Sequence, residues 1–249
     1  MKKNIGILLL HGFTGSPNSM AWLAKEFEKH SYITSSPRLC GHGTKPTDML
    51  NCTYANWLTD VEMAYTNLQK KCDSIILVGL SMGGALALCL AAKHKVDGVV
   101  TMAVPYCIRF RTRLFATLLY RLVKFQYKVN GPDINDKDAL KWMNSYNYYP
   151  TRASLEVFKV LKKMRVNIKY ISSPVMVLHG SKDHVVEPGN ADLIYNALQT
   201  PTKTKKLYDR SFHILSLDYD KELVLRDILQ FIEGITKKLI YEKTELPPS

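Results

Sequence analysis

A glycine-rich pentapeptide at residues 79–83, Gly-Leu-Ser-Met-Gly, limits the folds open to this chain more than any other segment. It follows the apolar run Ile75–Val78 and precedes small and apolar residues, so the sequence predicts a strand, a sharp turn and a buried helix. Glycines suit such a turn because flanking side chains would collide with the neighbouring backbone. The turn would expose the Ser81 hydroxyl at a helix N-terminus, where backbone N–H groups favour negative charge. Ser81 is therefore the predicted nucleophile.

Short β-rich runs alternate with helical patterns along the chain, which predicts an α/β fold with a mostly parallel sheet and helices on both faces. Several runs are continuously apolar, as buried parallel strands are. The predicted strands are Asn4–Leu10, Tyr32–Ser36, Ser74–Leu80, Gly98–Ala103, Pro174–Gly180 and Lys203–Asp209. The predicted helices between and after them are Ala55–Lys70, Gly83–His94 and Asp220–Lys237.

The alternation stops between a strand ending near Val104 and the next strand, which starts near Pro174. This gap is too long for an ordinary connection. We interpret residues 106–171 as a helical cap inserted into a core formed by residues 1–105 and 172–249.

Two helical patterns lie inside the predicted cap, at residues 109–128 and at Ser154–Arg165. The first has an apolar residue at every fourth position, namely Phe110, Leu114, Leu118 and Leu122. Such a stripe is compatible with a lid over a binding channel, and equally with simple packing of the cap on the core.

Most of the formal net charge of +12 lies in the cap, where 14 Lys and Arg residues face 4 Asp and Glu residues. This basic surface is compatible with transient contact with anionic lipid surfaces or with attraction of negatively charged substrates. A solvated face that serves solubility is the alternative. No nucleic-acid-binding module accompanies the charge, so no nucleic-acid partner is expected, and the oligomeric state stays open.

The N-terminal apolar run ends in His11-Gly12 without a small-residue cleavage site, which favours a buried strand over a signal peptide and predicts a cytoplasmic protein. The five cysteines are odd in number and lack a C-x-x-C pair, so we expect free thiols and neither a disulfide framework nor a zinc site. They are Cys40, Cys52, Cys72, Cys89 and Cys107. Nucleotide-binding glycine spacings are also missing, and no cofactor or metal is expected.

A serine hydroxyl becomes a good nucleophile when a base removes its proton, and a third group must orient that base. In folds with this pentapeptide, an acid and then a histidine follow the serine along the chain. Asp183 and His213 each lie in the loop after a predicted strand, at the sheet edge that carries Ser81. Asp192 and Glu187 are less well placed as the acid. The less well placed histidines are His11, His30, His42, His94, His179 and His184.

Two backbone amides would complete the site by stabilising an oxyanion. One is the N–H of Met82, which follows the nucleophile, and the other is the N–H of Phe13 in the loop after the first strand.

The segments Leu8–Gly15, Gly41–Gly43, Gly79–Gly84, Thr101–Pro105 and Phe212-His213 together resemble the thermostable carboxylesterases and small bacterial monoacylglycerol lipases of the α/β-hydrolase superfamily. The resemblance covers almost the whole chain and weakens in the cap. It implies the α/β-hydrolase fold, with the cap after the sixth strand of that fold's standard numbering. It also implies a serine esterase acting on short- to medium-chain esters or monoacylglycerols through an acyl-enzyme, with Ser81, Asp183 and His213 as the triad.

The sequence departs from the family at Phe212, where a small residue is usual, and we expect this side chain to narrow the pocket. Two alternatives to the esterase stay open. One keeps the triad but uses thioesters or another acyl or carbon–carbon substrate, and the other is a non-catalytic ligand-binding protein on the same scaffold.

Overall fold

The computed structural model describes residues 4–108, 114, 116–118 and 120–244, with side chains up to residue 237. The strands are β1 Ile5–Leu10, β2 Ile33–Ser35, β3 Ser74–Leu80, β4 Gly98–Met102, β5 Phe125–Tyr127, β6 Tyr148–Pro150, β7 Val175–Gly180 and β8 Lys203–Tyr208. Six of them form one parallel sheet in the order β2-β1-β3-β4-β7-β8, and β5 and β6 pair separately as an antiparallel two-stranded sheet. The helices are α1 Ala21–Lys29, α2 Tyr54–Gln69, α3 Met82–Ala91, α4 Thr151–Asn167, α5 Asn190–Ala197 and α6 Lys221–Thr244.

All six predicted strands of the main sheet are confirmed, each within one or two residues of its predicted bounds. The central strands are buried along their whole length, which explains why continuous apolar runs identified them. The edge strand β8 is different, because its lysines are exposed or half-buried. Charged side chains on an edge strand discourage pairing with another chain.

Two apolar cores lie on opposite faces of the sheet, because successive strand residues point to opposite sides. Leu8 packs into one core with Trp57 of α2, while the adjacent Ile7 packs into the other with Phe27 of α1. Helix α3 is completely buried in the first core, directly behind β3. This burial fixes the helix that follows the predicted nucleophile.

The predicted cap contains more than helices in its described residues. Helix α4 packs against α3, and its side chains Val160, Leu161 and Met164 belong to the first core. Its buried Glu156 accepts a hydrogen bond from the N–H of Tyr54 at the start of α2, 3.0 Å away. Helix α4 is therefore continuous with the core, and the division into core and cap at residues 106 and 171 stays a prediction.

The helix predicted over residues 109–128 is wrong at its C-terminal end, because residues 125–127 form β5. Residues 114 and 116–118 are helical, while residues 109–113, 115 and 119, including Phe110, lie outside the described part of the chain. Leu118 and Leu122 are 64% and 82% exposed. Neither leucine belongs to an apolar core, and neither lines the cavity around Ser81 that is described below. From the same stretch, Ala116 does line that cavity.

A disulfide joins Cys40 to Cys52, so the expectation that all five cysteines are free thiols is wrong. Gly41 lies between them with a positive φ of 72°, and a Cβ at this position would lie less than 3 Å from atoms of Met49 and Cys52, so both the turn and the close approach require glycine. Neither the odd count nor the spacing marks this pair in the sequence. No helix among the described residues is long and apolar enough to cross a membrane.

Candidate active site

The turn at Ser81 has the geometry that its glycines predict. Ser81 adopts φ 54° and ψ −120°, a strained conformation for a residue with a side chain. A Cβ on Gly83 would lie 2.1 Å from the carbonyl oxygen of Leu10, so only glycine allows this close approach between α3 and β1. The N–H of Ser81 donates to the carbonyl of Met102 at 2.8 Å, which anchors the turn to β4.

Asp183 and His213 are hydrogen-bonded, although they are far apart in sequence. The Nδ1 of His213 lies 2.8 Å from Oδ2 of Asp183, and both side chains are buried or nearly so. The other carboxylate oxygen, Oδ1, accepts the backbone N–H groups of Val185 and Val186, each at 2.8 Å. The aspartate is thus held in place and can orient the imidazole so that Nε2 acts as a base.

A second histidine, His179, also contacts the aspartate, although the sequence favours His213 as the base. The Nε2 of His179 in β7 is 3.1 Å from Oδ2 of Asp183. Burial alone would raise the pKa of Asp183. The charge of His213 and the hydrogen bonds from His179, His213 and Val186 N–H outweigh that effect and hold the pKa well below the usual carboxyl range.

One cavity of about 1160 Å³ brings the predicted site residues together. Its lining includes Ser81, Asp183 and His213, together with the two residues predicted to supply oxyanion amides, Phe13 and Met82. Much of the remaining wall is apolar. The cavity also reaches the chain between β4 and α4, through Ile108, Ala116, Gln126 and Lys128 among others.

The predicted oxyanion loop is a tight turn in which the N–H of Gly15 donates to the carbonyl of Gly12 at 3.1 Å. Thr14 within it has a φ of 62°. Two buried histidines contact this loop: Nδ1 of His11 lies 2.9 Å from the carbonyl oxygen of Gly12, and the ring of His42 packs edge-on against Phe13. Burial lowers the pKa of His11 to about 4, and burial together with the nearby His11 lowers the pKa of His42 to about 3. Both rings are therefore neutral at pH 7 and act as packing groups.

The rival residues are placed differently. Asp192 is more than half exposed and forms an ion pair with Lys205. His184 lines the cavity but its Nδ1 pairs with Asp133 at 2.9 Å. Glu187 lines the cavity as well, without replacing Asp183 as the partner of His213.

Two acidic residues that the sequence analysis missed hold the loop of His213. Asp133, from the segment between β5 and β6, accepts the backbone N–H of His213 at 3.3 Å and that of His184 at 3.0 Å. The buried Asp218 accepts the N–H of Phe212 at 2.8 Å and also those of Asn135 and Asp136, each at 2.9 Å. These contacts join segments far apart in sequence, so no local pattern could reveal them.

The ring of Phe212 packs edge-on against His184, with ring centroids 4.5 Å apart. Phe212 is not among the described residues that line the cavity, so the expectation that it narrows the pocket is wrong. Across the described residues, no group of three or more His, Cys, Asp or Glu side chains is arranged to hold a metal ion.

Comparison with known proteins finds a family model and several relatives that match most of the chain. The family model described as serine aminopeptidase, S33, matches residues 2–220. A thermostable monoacylglycerol lipase of Bacillus sp. (strain H-257) is 33% identical over 91% of this chain and 90% of its own length. A carboxylesterase of Bacillus subtilis (strain 168) is 28% identical, with 92% of each chain covered.

A solved structure from a study of two metagenome-derived lipolytic enzymes superposes with a TM-score of 0.88 and 31% sequence identity. It covers 93% of this chain and 94% of its own. The similarity therefore extends through the segment between β4 and β7 and is not restricted to the central sheet.

Proposed function

Because the chain belongs to the serine aminopeptidase S33 family and has the α/β-hydrolase fold, we propose that this hydrolase is a serine carboxylesterase. Its substrates are carboxylic esters of short to medium acyl length or monoacylglycerols. The observation that carries the proposal is the hydrogen-bonded pair Asp183–His213 on the wall of the cavity that also contains the strained Ser81. The names of the lipolytic relatives support an ester as the substrate.

In the proposed mechanism, His213 Nε2 accepts the Ser81 proton while the hydroxyl oxygen attacks the ester carbonyl. Asp183 keeps the imidazole in the tautomer that has its proton on Nδ1, and stabilises the imidazolium once it forms. The backbone N–H groups of Phe13 and Met82 stabilise the oxyanion of the tetrahedral intermediate. Met82 suits this role because it opens α3, where the first N–H groups have no acceptor within the helix.

The intermediate collapses when its bond to the alkoxy oxygen breaks and His213 gives its proton to the departing alcohol. Water then attacks the acyl-enzyme, with His213 again acting as base, and releases the carboxylic acid and free Ser81. The apolar walls of the cavity, such as Leu80, Val157 and Ile214, support an acyl chain as the group that is bound.

The same triad would also cleave thioesters, and the walls of the cavity decide between these substrates. A ligand-binding protein without activity is the alternative from another class. The strained Ser81 and the ordered Asp183–His213 pair argue against it, because a binding scaffold has no need of either.

We also propose that the basic segment between β4 and β7 makes transient contact with anionic lipid surfaces. The exposed side chains of Leu118, Leu122 and Trp142 lie in this segment beside its excess of lysine and arginine. Cosedimentation with anionic and neutral vesicles tests the contact. Equal binding to both vesicle types would contradict the electrostatic part of this proposal.

The decisive experiment measures hydrolysis of p-nitrophenyl esters of increasing acyl length by wild type, Ser81→Ala and Asp183→Asn. Ser81→Ala should abolish turnover above background, and Asp183→Asn should lower kcat by roughly 10⁴-fold, as loss of the tautomer control does in related triads. Asp192→Asn is the matched control and should keep normal activity, since Asp192 is exposed and paired with Lys205. Folded wild type that cleaves no oxygen ester but cleaves acyl thioesters would overturn the esterase proposal.

A further inference from the structure

Lys128 is a cation inside the candidate active site that the proposed mechanism does not use. It follows β5 and is held there by its backbone N–H, which donates to the carbonyl of Asn147 at 2.8 Å. Its side chain lines the same cavity as Ser81 and His213. The ammonium donates to Oγ1 of Thr14 at 2.5 Å and to Oγ of Ser145 at 2.8 Å.

The surroundings of this ammonium leave its charge uncompensated. Among the described residues, its side-chain hydrogen-bond partners are two neutral hydroxyl oxygens and no carboxylate. Burial lowers the pKa of Lys128 to about 8. Taking a charged amine out of water is costly unless an anion or several acceptors replace the lost hydration. Two hydroxyls accept two of its three N–H groups, so one N–H and the positive charge remain available to a ligand.

None of the acidic side chains on the same cavity wall is a hydrogen-bond partner of Lys128 among the described residues. Asp183 is occupied by His213 and His179, and Asp133 is occupied by His184. The third carboxylate among the described lining residues is Glu187, in the segment leading to α5, and the lining also includes the titratable side chains of Cys107 and Tyr149.

We propose that Lys128 is a specificity-determining residue that binds an anionic oxygen group, a carboxylate or a phosphate, carried by the ester substrate. This inference rests on the proposed esterase function and narrows its substrate class to esters with a second, negatively charged end. The anion would accept the remaining N–H of Lys128 while the ester carbonyl sits at Ser81. A charge-assisted hydrogen bond of this kind is among the stronger polar contacts available to a protein.

A purely structural role for Lys128 makes a different prediction. Its contact with Thr14 joins it to the turn that carries Phe13, so it could simply hold the oxyanion loop. Removal of Lys128 would then slow hydrolysis of charged and neutral esters by the same factor. The ratio of kcat/KM values for an anionic ester and its neutral match therefore separates the two roles.

The experiment measures this ratio by pH-stat titration at pH 7. One arm compares monomethyl adipate with methyl hexanoate, which places the anion on the acyl side. The other compares octanoyl glycerol phosphate with octanoyl glycerol, which places it on the alcohol side. Both arms use wild type, Lys128→Met, Lys128→Arg and the matched control Lys124→Met, which removes an exposed lysine from the same segment.

Lys128→Met should lower the anionic-to-neutral ratio by about 10- to 100-fold in one of the two arms, the range expected for a hydrogen bond to a charged group. Lys128→Arg should retain a higher ratio than Lys128→Met, and Lys124→Met should match wild type. An unchanged ratio in both arms for Lys128→Met would overturn the inference while leaving the esterase intact. A folded wild type that cleaves neither neutral nor anionic esters would overturn the proposed function itself.

Discussion

The disulfide between Cys40 and Cys52 makes a measurable contribution to stability. The two cysteines are 12 residues apart in sequence, and cross-linking a loop of this size restricts the unfolded chain by about 3 kcal/mol in the chain-entropy model. With a urea dependence of about 3 kcal/mol per molar, the unfolding midpoint should fall by about 1 M when the bond is reduced or replaced. Wild type with and without reductant, and the double variant Cys40→Ala/Cys52→Ala, are compared by urea unfolding.

The double variant should resemble reduced wild type and should no longer respond to reductant. Cys107→Ala is the control, because this thiol is free and exposed. Thiol titration in denaturant should find three thiols before reduction and five after it. Five thiols at the outset, with a midpoint insensitive to reductant, would refute the disulfide. They would also agree with the predicted cytoplasmic location, since disulfides seldom persist in a reducing compartment.

Three further perturbations test the site and its supports. Gly83→Ala should destabilise the fold by about 1–3 kcal/mol, because the added Cβ would meet a backbone oxygen of β1. Gly234→Ala has open space around the added Cβ and should stabilise α6 by about 0.5–1 kcal/mol. Equal melting temperatures of the two variants would contradict this contrast. His179→Phe removes one donor that holds the pKa of Asp183 well below the usual carboxyl range, so that pKa should rise. Carbon NMR titration of the aspartate side chains in wild type and variant measures it, and an unmoved Asp183 titration would show that His179 only fills space. Because the pKa of Lys128 is lowered to about 8, its charge is present below that pH, and any preference for anionic esters should fade as pH rises through about 8; a preference that is constant to pH 10 would contradict this.

The sequence predicted the parts of this protein that local pattern controls. Buried strands such as β3 and β7 are continuous apolar runs, and the loops after them carry Ser81 and Asp183 at one edge of the sheet. The spacing of strands and loops selected Asp183 and His213 over several rivals, and the structure joins the two by a hydrogen bond, while their catalytic roles stay a prediction.

The contacts that escaped prediction all depend on chain segments meeting in three dimensions. The strands β5 and β6 have three residues each, too few for any periodicity to be visible. His179 lies in a strand like many structural histidines, and only the fold of the following loop turns Asp183 back toward it. The pairing of Cys40 with Cys52 likewise depends on a turn at Gly41 that composition does not reveal.

The carboxylates of Asp133 and Asp218 have a consequence for chimeric proteins built on this scaffold. Exchanging the segment between β4 and β7 for that of a relative is an obvious way to alter substrate range. In this chain such a transplant would replace Asp133 and the stretch 135–136, whose backbone N–H groups bond to Asp218, and both contacts brace the loop of His213. Grafts that replace residues 132–136 should lose turnover for every substrate. Grafts that keep these residues of this chain can change selectivity alone.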